Sequence, residues 1–211
     1  MLRLGKIRSL KKFIKKIKPA LPITIALVAI IGSIGYRHIM PFYINPTAYT
    51  PLLNTIAKGE SNGNYNAYYG NAGNTSLLFT TMPVGEVLAW QDNFVRQGNS
   101  SNAVGKYQII RPTLAGLVQQ LRIDPSTPFS EQLQDKMAIA LLERRGAQAF
   151  VQNKISREEF AANLAKEWAA LPSVQGTSPN DSYYAGDGLN HAHISIDELF
   201  AALASLRQLA S

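Results

Sequence analysis

The sequence predicts a mainly α-helical domain with a small β excursion, preceded by one transmembrane helix. Apolar residues recur at three- and four-residue spacing in several blocks after Thr50, and Ser or Thr caps open most of the blocks. One stretch after the first block breaks this rhythm and is rich in Asn, Gly and Tyr. Ahead of all this, an uncharged run follows a strongly basic segment.

Residues 1–18 (MLRLGKIRSLKKFIKKIK) form a basic amphipathic segment, with Leu10, Phe13, Ile14 and Ile17 on one helical face. Such a helix lies in the headgroup layer, where anionic lipid contributes roughly 1 kcal/mol per nearby Lys or Arg. Residues 19–40 read as the transmembrane helix. No charge occurs from Pro19 to Tyr36, and that many helical residues reach roughly 27 Å, close to the hydrocarbon thickness. Tyr36, Arg37, Phe42 and Tyr43 supply the aromatic and basic rim where a span leaves the bilayer. The Lys/Arg excess before the span places the N-terminus in the cytoplasm and the remainder on the extracytoplasmic side. A cleaved signal peptide is the competing reading. The long basic region argues against it, as does the bulky YRHIM where small residues should mark a cleavage site.

Residues 41–50 read as a linker, and residues 51–211 as one domain. Thr50-Pro51 opens a first helix with Leu53, Ile56 and Ala57 on a stripe that ends at Glu60. Residues 61–81 are the irregular stretch, in which SLLFTT has the composition of a short strand. Pro83 to Arg96 carries Val84, Val87, Leu88, Gln91 and Val95 along one side of a second helix, and residues 97–106 turn. Pro112 opens a third, with Leu114, Leu117, Val118 and Leu121. A fourth runs from Ser130 to Arg145, closed by Gly146. Ser156 to Glu159 is a capping box before Phe160, Leu164, Trp168 and Leu171, which Pro172 ends. Ser195 to Glu198 repeats the device before Leu199, Leu203 and Leu206.

Composition narrows the chemistry. The chain has 211 residues and no cysteine, which excludes a disulfide scaffold, a thiolate metal site and a cysteine nucleophile. Its 21 Lys+Arg against 14 Asp+Glu suggest a nucleic-acid partner until the charges are located. Residues 1–59 hold ten bases and no acid, whereas residues 60–211 hold eleven bases and fourteen acids. The basicity belongs to the membrane segment, so no nucleic-acid partner is expected. His191 and His193 lack a third ligand at metal-site spacing, Ser61 lacks a nearby His, and no glycine loop has phosphate-cradling form. No metal and no cofactor are expected.

Glu60 stands out on spacing. It falls on the apolar stripe at the C-terminal end of its helix, where desolvation and the helix dipole both favour a protonated carboxyl. An acid that keeps its proton near neutral pH can protonate a glycosidic oxygen. A Glu that merely ends a helix and faces water is the competing reading. Tyr65, Tyr68, Tyr69, Tyr107, Tyr183 and Tyr184 gather in the non-helical stretches with Asn62, Asn64, Asn66, Asn71 and Asn74. Aromatic faces and amides suit a sugar cleft, although both residue types also favour turns.

The segments GESNGNYNA and AVGKYQII, with Pro112-Thr113-Leu114 behind them, resemble the first two motifs of the lysozyme-like lytic transglycosylases. With FSEQLQDKMAIALLERRGAQAF, FAANLAKEWAALPSVQG and SYYAGDGLNHA, the ordered set is similar to the bacteriophage peptidoglycan-degrading proteins that include the phage lambda endolysin. The resemblance runs from about Leu52 to Ala192. It implies an α+β lysozyme-like fold and peptidoglycan glycan strands, joined MurNAc to GlcNAc, as substrate. Glu60 takes the place of the catalytic acid/base, and Ser61 that of the residue beside it. Gly105, Tyr107 and Gln108 take the places of a cleft-lining segment that binds substrate. Tyr183 and Tyr184 fall in a late tyrosine-containing segment that also binds it. The resemblance further implies a phage enzyme held at a membrane, lysis-related or associated with virion structural proteins.

Hydrolysis normally needs a second carboxylate some 5–9.5 Å from the acid. Asp92 and Glu86 sit on a helix with solvated-face explanations, and Asp181 and Asp187 lie in a loop. The resembled family uses a single Glu and the sugar's own 6-hydroxyl, an intramolecular attack favoured by proximity. The alternatives are a hydrolytic muramidase, a wall endopeptidase on the same scaffold, and a non-catalytic glycan-binding virion protein.

Overall fold

The computed structural model describes residues 42–210. The basic segment and the expected transmembrane helix lie outside the described residues. Among the described residues no helix is long and apolar enough to cross a membrane.

The order of elements is a 3-10 turn Pro46–Tyr49, α1 Thr50–Ser61, a 3-10 turn Phe79–Thr81, α2 Val84–Arg96, α3 Arg111–Gln120, α4 Glu131–Arg144, α5 Ala147–Val151, α6 Arg157–Ala165 and α7 Ile196–Ala210. The domain is mainly helical, as expected. α1 packs along α7, α5 and α6 also pack against α7, and α2 pairs with α3. The α1 stripe is buried at Leu52, Leu53, Ile56 and Ala57, and that of α7 at Leu199, Leu203 and Leu206. The caps at Ser130, Ser156 and Ser195 form: each hydroxyl accepts an N–H three residues on, at 3.3, 3.0 and 3.1 Å.

Several expectations need correcting. Part of the segment read as a linker belongs to the domain, because Ile44, Ala48 and Tyr49 are buried in its core. The side chain of Asn45 accepts the Thr47 N–H, so the helical entry begins before Thr50. SLLFTT forms no strand. The N–H groups of Ser76 and Leu77 donate to the Asn74 side chain, and that of Thr80 to the Asn66 side chain. With these donors taken by amides, residues 79–81 curl into a 3-10 turn that buries Phe79. Among the described residues extended pairing reduces to isolated bridges, including Tyr68 to Val104 and Val104 to Ile109. Val95 is exposed, so the buried face of α2 stops at Gln91.

The expected helix through Leu171 ends at Ala165. Trp168 and Leu171 are still buried, carried by turns. The ladder fails because the Ala170 N–H donates to Glu60, and the Lys166 carbonyl that would have accepted it receives Arg145 and the Tyr184 hydroxyl. A short helix, α5, was not expected; Gly146 at φ +107° makes the bend that starts it.

Candidate active site

α1 delivers Glu60 in its last turn. Asn62 ends the helix in the left-handed region at φ +54°, its N–H returned to the Ala57 carbonyl. Gly59 lets the chain around Ala170 and Ile194 come close: a Cβ there would lie 2.8 Å from Ala170 Cβ and 2.9 Å from Ile194 Cγ1. That approach puts the Ala170 N–H 3.0 Å from Glu60 Oε1. Desolvation raises the Glu60 pKa, and the Ala170 hydrogen bond opposes it, leaving the group pushed up to about 7. Part of the side chain still faces the cleft.

The segment after Ala103 forms the facing wall as a tight turn, with Val104 and Ile109 exchanging backbone hydrogen bonds. Two buried glutamines fix it. Gln91 of α2 donates to the Asn102 and Ile109 carbonyls, and Gln134 of α4 accepts the Lys106 N–H while donating to Tyr65 and Phe129 carbonyls. Gly105 is required: its φ is +77°, and a Cβ would meet Gln134 Oε1 at 2.3 Å. The Ser61 hydroxyl donates to the Lys106 carbonyl at 2.7 Å, tying the end of α1 to this turn.

Between these walls lies a cleft of about 870 Å³ that includes Glu60, Tyr69, Asn71, Gln108, Trp168 and Tyr184 in its lining. Of the residues expected here, Glu60, Tyr107, Gln108 and Tyr184 line it. Gln108, at φ +47°, donates its amide to the Gly105 carbonyl. Tyr107 is buried against the cleft, its hydroxyl donating to Asp135 at 2.6 Å. Ser61 and Gly105 are buried behind the wall and shape it from there. Tyr183 is exposed outside the cleft lining and meets Tyr184 edge to face at 5.1 Å between ring centres. Most of the Asn residues are spent on folding their own loop. Asn64 donates to the Ala72 and Asn74 carbonyls, and the buried Asn74 to Asn66 and Leu77. Asn71 lines the cleft, its amide donating to the Tyr68 hydroxyl.

Sequence reasoning missed Trp168, Ala170, Arg144, Arg145, Lys166 and Glu167, which form the wall beyond Glu60. They come from the end of α4 and the turns after α6, and no local pattern marks those as neighbours of α1. Gln91 and Gln134 did leave a signal: a glutamine inside an apolar stripe is buried with partners or not at all. Besides Glu60, the carboxylates on the cleft are Glu167 and Asp187. Glu167 is held by Arg144 and Arg145. Asp187 accepts the N–H groups of Leu189 and Asn190, which hold its carboxyl below the usual range. Asp92 lies on the surface, paired with Arg111 at 2.9 Å. No group of three or more His, Asp or Glu among the described residues is arranged to hold a metal ion.

The helical domain offers an open cleft with ring faces, amides and one carboxyl poised near neutrality, an arrangement suited to acid–base chemistry on a polar substrate. A family model described as Endolysin matches residues 50–192, more than half of the chain. The chain therefore belongs to the Endolysin family: it is a phage-type, cell-wall-degrading protein whose substrate is peptidoglycan. No curated protein and no solved structure matches it.

Proposed function

We propose that the domain is a lytic transglycosylase that cuts the MurNAc–GlcNAc strand with Glu60 as its sole acid/base. The protonated carboxyl of Glu60 donates to the glycosidic oxygen as the bond to the muramic C1 breaks. The resulting carboxylate then takes the proton of the muramic 6-hydroxyl as that oxygen closes on C1, giving a 1,6-anhydro end and restoring the acid. No water enters the products.

The observation that carries this reading is the unequal state of the cleft carboxylates. Glu60 is desolvated with one hydrogen bond from the protein, while Glu167 and Asp187 are both occupied. A hydrolase would need one of those two released to activate water. Mass spectrometry of products from purified sacculi tests it. Anhydro-muramic ends are expected, and reducing muramic ends in their place would make the enzyme a muramidase.

Residues 1–40, in this proposal, anchor the enzyme to the host or virion membrane for local wall opening during entry or exit. The uncharged run from Pro19 to Tyr36 supports the reading. Full-length protein should fractionate with membranes and resist high-salt extraction. Release by salt alone would leave only an electrostatic association through the basic segment.

A further inference from the structure

The cleft carries more charge than proton transfer at Glu60 uses. Arg144 and Arg145, at the end of α4, and Lys166, just after α6, line the same space as Glu60. Their counter-ion lies beneath them: the Glu167 side chain is 7% exposed, against 43% for Arg144 and 29% for Arg145. Arg144 Nη2 reaches both Glu167 oxygens, at 3.1 and 3.2 Å. Arg145 gives Nε to Glu167 at 2.8 Å and Nη2 to the Lys166 carbonyl at 3.0 Å.

One buried carboxylate therefore fixes two guanidinium planes and neutralises one of three cations. Arg144 keeps Nε and Nη1 clear of protein partners among the described residues, and Lys166 is exposed with its ammonium 6.0 Å from the Tyr183 ring. Asp187, also on the cleft, is engaged by its own loop. The wall presented to a ligand is positive and preorganised.

A strand of neutral acetylated sugars offers such a wall hydrogen-bond acceptors but no counter-charge. In intact peptidoglycan the anionic groups nearest the strand are the carboxylates of the stem peptide on muramic acid. We infer that Arg144, Arg145 and Lys166 form a subsite for a stem-peptide carboxylate beside the scissile bond, so that the enzyme prefers wall whose stem carboxylates are free. The inference rests on the reading that this bond lies at Glu60. Lys166 is four residues from Ala170, whose N–H holds Glu60, so the Lys166 and Ala170 Cα atoms lie within about 14 Å of each other. A peptide carboxylate two residues out from the sugar reaches a comparable distance. Charge-assisted, forked recognition of a carboxylate is what preset guanidinium groups do best.

The test uses the full chain and glycan strands bearing uncrosslinked stem peptides. One half of the preparation keeps free carboxylates, and the other is converted to amides by carbodiimide coupling with ammonia. Wild type is expected to show an apparent KM about tenfold higher on the amidated strands, with kcat within about twofold. The double variant Arg144→Gln/Lys166→Gln should show that raised KM on both preparations. Lys166→Gln alone, at an exposed site without an ion pair, should keep the fold and give an intermediate value. Equal KM for wild type on the two preparations, or an undiminished preference in the double variant, would overturn the subsite. Full activity in Glu60→Gln would instead overturn the placement of the scissile bond, whatever amidation does.

Discussion

Glu60 and Asp135 are both acids set on a helix facing irregular chain, and the turn around Lys106 lies between them. The protein treats them in opposite ways. Asp135 accepts the Tyr107 hydroxyl at 2.6 Å and the Tyr65 hydroxyl at 3.0 Å, with the Lys106 ammonium 3.6 Å away. Burial and that anion push both tyrosines up, so they keep their protons and go on donating. Glu60 receives one backbone N–H and is otherwise desolvated toward a cleft. A carboxylate supplied with donors and a cation holds structure; one given a single donor keeps a proton to spend. The wall of the cleft is thus anchored by one acid and served by the other.

Glu60→Gln should have the largest effect. The amide keeps the size and can still accept from Ala170, but it donates no carboxylic proton. A loss of at least about a thousandfold in wall-lysis rate is expected, within the range of general acid–base contributions. The variant should fold, and at high pH it should be more stable than the parent. The folded pKa of Glu60 lies above the ordinary 4.5, so its contribution is fully present below that value and is lost as pH rises through about 7. Above pH 7 the parent carries a desolvated charge that the amide lacks, a gap of about 3 kcal/mol that closes in acid. Thermal melts at pH 5 and pH 8 would show it. Asp92→Asn, which breaks only an exposed pair with Arg111, serves as the control and should keep near-normal activity. Collapse of Asp92→Asn as well, with its fold intact, would mean that Glu60 is not the sole acid/base.

Gly59→Ala should come next in size. Its Cβ would force the chain at Ala170 away from α1 and stretch the hydrogen bond to Glu60. Misplacement of this kind costs roughly ten- to a hundredfold in rate. Because the Ala170 N–H lowers the Glu60 pKa, its loss should move the alkaline limb of the pH–rate profile to higher pH. A slower enzyme with an unmoved limb would mean that Gly59 serves packing alone.

Asp135→Ala should show the smallest effect on chemistry and a clear effect on stability. It leaves the Tyr65 and Tyr107 hydroxyls without their acceptor, at a cost of about 2–3 kcal/mol measured by denaturant unfolding. Catalysis at saturating substrate should fall only several-fold. A thousandfold loss there would place Asp135 in the reaction and end the contrast with Glu60.

The same contrast explains how much could be read from the sequence. The helices were legible where local rules decide: stripes at Leu53, Ile56 and Ala57 or Leu199, Leu203 and Leu206, and caps at Ser130, Ser156 and Ser195. Glu60 itself was legible, since a carboxyl on an apolar stripe at a helix end is locally anomalous. What escaped depends on partners far along the chain. α6 stops at Ala165 because the Ala170 N–H turns to an acceptor 110 residues away. The expected strand near Leu77 fails because Asn66 and Asn74 capture its N–H groups. The asparagines looked like sugar ligands by composition, and most serve as loop scaffolding, a distinction that hydrogen-bond geometry alone can make. The basic wall stayed hidden because Arg144, Arg145, Lys166 and Glu167 belong to two separate helix ends.

One carboxylic acid, Glu60, held near the midpoint of its titration at neutral pH, sets the chemistry of the cleft. Carboxyl carbon NMR on protein labelled at glutamate, with the Glu60 signal assigned by its loss in Glu60→Gln, measures this directly. A titration centred at about 7 is expected. A titration near the ordinary 4.5 would mean an ionised group at neutral pH, unable to supply the proton, and would contradict it.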